Sequence, residues 1–253
     1  MEKTKFPEFK GKSLDFLEGD FGKAFLEEYK GRVKSNYDKN SNLNVLGYDD
    51  VVKGSNPFAV VLANQILREE NLRTATQADL EKALKIGRDF QRTYQDTGLV
   101  LRNKKDRDYS KNNPLAKDLA KQLKKRGIRF SLKTPVMIPL IGFELEKADN
   151  DYGLTFKLRE DAEIYEAPIL SKPGKFNSKD IDEKTGLPKK ISDFGDRPLY
   201  AWWFGLSRLD LSSSWFWVSG VKSLGVSYDV GRIVVVSEKL SNKTNCPEDY
   251  KKK

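Results

Sequence analysis

The chain has 253 residues, with 46 Lys and Arg against 37 Asp and Glu, a formal charge of +9. Hydrophobic content is 38% and charged content 33%, but 11% aromatics argue against a disordered chain, and this length can bury roughly 70–75% of its unfolded surface. Histidine is absent and Cys246 is the sole cysteine, which excludes Ser-His-Asp and Cys-His nucleophile pairs, an internal disulfide and a Cys/His zinc site.

No run approaches the roughly 20 apolar residues of a membrane span. Met1 to Lys12 is charged and lacks the apolar centre of a secretory signal, so the cytoplasm is the default location. Display on a surface would need a route the sequence does not show. There is no Asp-x-Asp-x-Asn/Asp-Gly loop, GxGxxG or GxxxxGK[ST] motif, so no metal, cofactor or catalytic residue is expected.

The first third reads helical. From Ser13 onward, Phe16, Leu17, Phe21, Ala24, Phe25 and Tyr29 fall near three- and four-residue spacing, which predicts an amphipathic helix. Asn56-Pro57 opens a more apolar helix through Leu67, and Thr76 with Asp79 forms a capping-box pattern before Leu80, Ala83, Leu84 and Ile86. A last helix begins at Asn113-Pro114, carries Leu115, Leu119 and Leu123 along one face, and ends at Lys124-Lys125-Arg126-Gly127. Lys117, Lys121, Lys124, Lys125 and Arg126 read as its solvated face; the competing reading is a phosphate-binding row.

From Thr134 the pattern turns to strands. Pro135 to Gly142 is short, apolar and bracketed by prolines, which predicts an edge or turning strand. Leu154 to Leu158 alternates, Ile164 to Leu170 is a second run, and Asp149 to Gly153 is a connecting turn. Ser171 to Pro188 is rich in Lys, Asp, Gly and Pro and reads as a long surface loop inside one domain. The expectation is a single α+β domain over 1–253: mainly helical over 1–130, strand-rich over 131–238, with a flexible tail at 239–253.

Leu199 to Ser237 departs from the rest. It holds all four tryptophans, Trp202, Trp203, Trp215 and Trp217, and contains no Glu, Gln, Asn or Met. Its only charged residues are Arg208, Asp210, Lys222, Asp229 and Arg232. Through Ser212 to Gly220 neither the helical nor the two-residue period fits, before the segment closes on the buried strand Ile233 to Ser237. Leu206, Leu209, Leu211, Leu224 and the valines read as core. The tryptophans, phenylalanines and serines between them read as a recognition surface, where rigid aromatics supply contact area and Ser and Gly supply adaptable contacts. Buried hydroxyls would each need a partner, which a core keeps to a minimum.

Pro198-Leu199-Tyr200, Gly205 to Leu209 and Gly231 to Ser237 resemble the C-terminal variable region of archaeal diversity-generating retroelement proteins. Gly54 to Pro57, Gln77 to Glu81, Tyr94 to Gly98 and Lys179 to Pro188 are similar to the same group, so the resemblance covers most of the chain. It implies a C-type-lectin-like fold and a target gene whose 3′ end is overwritten by error-prone copying at adenines. Codons of AAC type then become NNC codons, which encode no Trp, Gln, Glu, Lys or Met; the tryptophans and Lys222 depart from that filter.

Carried onto this sequence, the resemblance implies diversified ligand-binding positions at Ala201, Trp202, Trp203, Phe204, Asp210, Ser212, Ser213, Ser214, Phe216, Val218, Ser219, Val221, Gly225, Ser227, Asp229 and Val230. Gly205, Leu206, Arg208, Leu209, Leu211, Gly231 and Arg232 would be the frame. A fold tolerates arbitrary residues only where they face solvent from a backbone fixed by other contacts, so the first set should be the more exposed. The expected partner is a macromolecule, a protein or cell-surface component, bound by a monomer. The competing function is nucleic-acid binding through the basic charge, although cations and aromatics lie in different parts of the chain. An enzyme on this fold, like the formylglycine-generating enzymes, would need cysteine chemistry this chain lacks.

Overall fold

The computed structural model describes residues 6–10, 14–88, 90, 92–103, 105, 110–201, 205–212, 216–219 and 223–237, with the backbone alone at 216–219. In chain order the first elements are β1 (Leu14–Phe16), α1 (Gly19–Asn36), β2 (Gly47–Asp49), β3 (Val51–Lys53), α2 (Pro57–Arg68), β4 (Leu72–Thr74), α3 (Gln77–Lys85), β5 (Tyr94–Leu101) and α4 (Asn112–Lys125). Then follow β6 (Val136–Pro139), β7 (Phe143–Lys147), β8 (Leu154–Leu158), β9 (Tyr165–Glu166), β10 (Gly174–Phe176), β11 (Arg197–Ala201), β12 (Leu206–Ser212), β13 (Phe216–Ser219) and β14 (Val234–Ser237). The protein is thus α+β. Among the described residues no helix is long and apolar enough to cross a membrane.

Helices α2 and α3 begin where the sequence places their caps. Asn56 Oδ1 accepts from the Ala59 amide at 2.7 Å, satisfying an otherwise orphaned donor at the start of α2. Thr76 and Asp79 close a reciprocal capping box on α3. On α4 the leucine stripe Leu115, Leu119 and Leu123 is buried, and Gly127, at φ +75°, lets the Ile128 amide reach back to the Leu123 carbonyl at 3.1 Å.

The first element corrects the sequence reading. Leu14–Phe16 is a strand pairing antiparallel with β14, and the helix starts only at Gly19, where φ is +59°. β14 lies between β1 and β4, so the beginning and the end of the described fold are joined in one three-stranded sheet. Three further corrections follow. Ile164 to Leu170 yields only the two-residue β9 followed by a 3₁₀ turn at Pro168–Ser171. β6 is interior, not an edge, because it pairs with both β5 and β9, but the run does turn, through a 3₁₀ turn at Leu140–Gly142. Ser171 to Pro188 is no mere surface loop, since it contributes β10 and the buried side chains Phe176, Ile181 and Leu187.

The central sheet has seven strands in the order β10-β11-β13-β12-β5-β6-β9, antiparallel except for the parallel β11/β13 pair. It divides two cores. Leu99, Leu101, Val136, Ile138 and Leu206 point into the larger core with α1, α2 and α4. Val100, Met137, Leu199, Ala201, Leu209 and Leu211 point the other way, with Leu80 and Ala83 of α3 and with Phe176. Both faces of β12 are therefore covered, and all seven of its residues are buried.

Candidate recognition surface

Between β5 and β12 the register shifts. Leu209 pairs with Gly98, but Asp210 pairs with Asp96, leaving Thr97 as a β-bulge. A bulge re-aims the side chains that follow it. Here it turns Thr97 toward α3, where its hydroxyl donates to Gln77 Oε1 at 2.7 Å, and brings Asp96 beneath Arg208 on the opposite face. Arg208 Nε and Nη2 each donate to Asp96 at 2.5 Å, a two-pronged contact between side chains 2% and 0% exposed.

Burial alone would lower the Arg208 pKa, but Asp96 and Asp210 reverse this and hold the guanidinium above its ordinary range. Burial lifts the Asp96 carboxyl despite Arg208, so the two partners pull in opposite senses; the two-pronged contact makes the ion pair the ground state. Tyr94 lies against the guanidinium at 5.5 Å from ring centroid to Cζ, and burial, with Asp96 close by, pushes its hydroxyl up to about 12.

Residues 223–232 cross over this pair. Arg208 Nη1 donates to the Val226 carbonyl at 2.7 Å, and the Tyr228 amide donates to the Tyr94 hydroxyl at 3.1 Å. Ser227 Oγ accepts from the Ser55 amide at 2.8 Å, and Asn56 Nδ2 donates to the Gly225 carbonyl at 2.9 Å. The Leu224 amide donates to the Tyr152 hydroxyl at 3.1 Å, and the Gly54 amide to the Gly231 carbonyl at 2.8 Å. The backbone of this loop is thus fixed by Gly54, Asn56, Tyr94, Tyr152 and Arg208, and the Ser227 side chain by Ser55. On its outer side Tyr228 is 43% and Val230 51% exposed, and Asp229 is exposed as well.

The sheet opens in the same neighbourhood. Tyr200 on β11 and Asp210 on β12 share Trp217 of β13 as register partner. Along that row exposure rises from 7% at Asp210 to 45% at Tyr200, so the face covered by the large core at β5 is open to solvent at β11.

The sequence-predicted positions therefore separate. Asp229 and Val230 face solvent. Gly225 and Ser227 are half-buried, and both are tied to the support: a Cβ at 225 would overlap the Asn42 amide, and Ser227 holds Ser55. Exposure does not hold at Ala201, Asp210 and Ser212, all buried: Ala201 packs in the smaller core, and Asp210 lies 3.8 Å from Arg208 Nε. Trp202, Trp203, Phe204, Ser213, Ser214 and Val221 lie outside the described residues, as do Trp215 and the 239–253 tail; Phe216, Val218 and Ser219 are placed by backbone only. The frame positions Gly205, Leu206, Arg208, Leu209, Leu211 and Gly231 are buried, with Arg232 half-buried. Tyr200 and Tyr228 were missed, although the NNC filter that admits tyrosine gave a signal for them. Among the described residues no group of three or more His, Cys, Asp or Glu side chains could hold a metal ion.

No family model matches the chain, and no solved structure matches it. It is similar to replication factor C subunit 1 of Homo sapiens, 30% identical over 128 residues, covering 44% of this chain and 11% of that protein. The chain thus matches only about a tenth of that relative's length.

Proposed function

We propose that this chain is a non-catalytic binding protein of a diversity-generating retroelement, built on a C-type-lectin-like fold. Its C-terminal region presents a variable surface to a macromolecular ligand, a protein or cell-surface component, and it acts as a monomer. The observation that carries the reading is the separation of support from display in residues 223–232. Upstream side chains and amides fix the backbone, while Tyr228, Asp229 and Val230 face solvent. Exposed aromatics beside a rigid support are the usual source of binding energy at protein interfaces. Tyr200, at the open end of the sheet, extends the same surface.

The test is the DNA beside the gene. The reading expects a near-copy of the 3′ coding end, differing at adenines within the codons for 228–230, next to a reverse-transcriptase gene. Neighbouring DNA with neither feature contradicts it.

A second reading, nucleic-acid binding, draws on the net charge of +9 and on α4, where Lys117, Lys121, Lys124, Lys125 and Arg126 are all exposed. Binding to single-stranded DNA that weakens steeply with salt, and falls on charge reversal of Lys117 and Lys121, would favour it over the first.

A further inference from the structure

We infer that Arg208, Asp96 and Tyr94 form a latch that sets the path of residues 223–232 before any ligand arrives, making them the positioning residues of the recognition surface. The inference rests on the proposed reading for its purpose, but not for its geometry.

A buried ion pair is a poor route to stability alone, because apolar residues of similar volume often do as well. A guanidinium offers what they cannot, a planar fork of donors in fixed directions. Arg208 uses that fork on three parts of the chain at once. Nε and Nη2 meet Asp96 on β5, Nη2 also reaches the Ser55 carbonyl at 3.3 Å, and Nη1 holds the Val226 carbonyl at 2.7 Å. The strand, the entry to α2 and the loop are thereby set relative to one another.

Ser55 and Tyr94 complete the device. Ser55 Oγ donates to Asp96 Oδ2 at 2.7 Å and accepts from the Asp96 amide at 2.9 Å, while its own amide holds Ser227. The Tyr94 hydroxyl donates to the Ser55 carbonyl at 2.9 Å and accepts from the Tyr228 amide. The contacts at Val226 and Tyr228, on either side of Ser227, therefore both end on the buried cluster. Both are contacts to backbone, so they do not depend on which side chains occupy 226 and 228–230. A surface that changes its side chains needs this property, and a loop ordered in advance loses less entropy when it binds.

Hydrogen exchange read by mass spectrometry on the full chain tests the latch without a ligand. Tyr94→Phe removes both hydroxyl contacts at little cost in volume, and Arg208→Lys keeps the charge but not the fork. Both variants should speed exchange across 226–232 by about tenfold, while α2 and β6 change by less than about twofold. Asp229→Ala should leave exchange unchanged. Unaltered exchange at 226–232 in both variants overturns the latch. So does acceleration of the whole molecule together, which would make the pair an ordinary stabilising contact. Failure to find a template repeat beside the gene would count against the retroelement reading and leave this result standing.

Discussion

Glu81 Oε2 and Arg197 Nη1 lie 2.7 Å apart although 116 residues separate them in sequence. Their side chains are 3% and 8% exposed, and the guanidinium also lies over Phe176 at 5.1 Å. Glu81 stands on α3 and Arg197 opens β11, so the strand carrying Tyr200 is tied to the smaller core's helix. On the other face of the sheet, Arg208 and Asp96 join β12 to β5. Each face of the C-terminal strands is thus fastened to the upstream half by one buried ion pair.

Breaking one such pair leaves an uncompensated buried charge. Glu81→Gln should cost about 3 kcal/mol, while Glu81→Gln combined with Arg197→Met should recover most of that loss. Urea midpoints at constant slope read both effects. A double variant no more stable than the single one would show that the carboxylate is not compensating Arg197.

Asp79 carries the clearest pH dependence. Burial raises its pKa, but the hydrogen bond and charge of Arg73 and the bonds from Thr76 outweigh it, leaving the carboxyl below its ordinary 3.8. A depressed native value means that the unfolded chain takes up the proton first as pH falls. The stabilisation is complete above about pH 5 and is lost as pH drops past 3.8 and through the lower native value. Asp79→Asn should therefore be less stable than the parent by about 1–2 kcal/mol at pH 7, with the gap closing in acid. A gap independent of pH in thermal melts from pH 2 to 7 would contradict this.

Neighbouring positions of the display loop should respond oppositely to substitution. A Cβ at Gly231 would sit 2.6 Å from the Ser55 amide nitrogen, which is backbone and cannot swing aside. Gly231→Ala should cost about 2 kcal/mol or more, whereas Asp229→Lys should stay within about 0.5 kcal/mol. Equal effects in chemical denaturation would erase the distinction between support and display.

What could be read from sequence was what is local. The caps Asn56 and Thr76, the Leu115/Leu119/Leu123 stripe with its Gly127 stop, and the valine run of β14 carry their signals within a turn or two of chain. β5 escaped notice because its middle, Gln95-Asp96-Thr97, is polar. Its burial depends on partners found only in the fold: Ala75 and Val234 for Gln95, Arg208 for Asp96, Gln77 for Thr97. Leu14–Phe16 was misassigned because a three-residue strand leaves too few residues to show a period, and the helical spacing after Gly19 extends back across it. In the candidate surface, composition did not tell which way a side chain faces. Ala201 faces inward because the smaller core covers that side of β11, and Asp210 and Ser212 are buried because both faces of β12 are covered.

All four tryptophans fall within 202–217, so the intrinsic indole fluorescence of the whole chain reports on the proposed recognition segment and on nothing else. Steady-state emission and acrylamide quenching of the native protein therefore address the central claim without any ligand. The account predicts emission shifted toward that of indole in water, with quenching close to that of the urea-unfolded chain. Blue-shifted emission, protected from acrylamide until the protein unfolds, would mean that the indoles fill the interior and would contradict it.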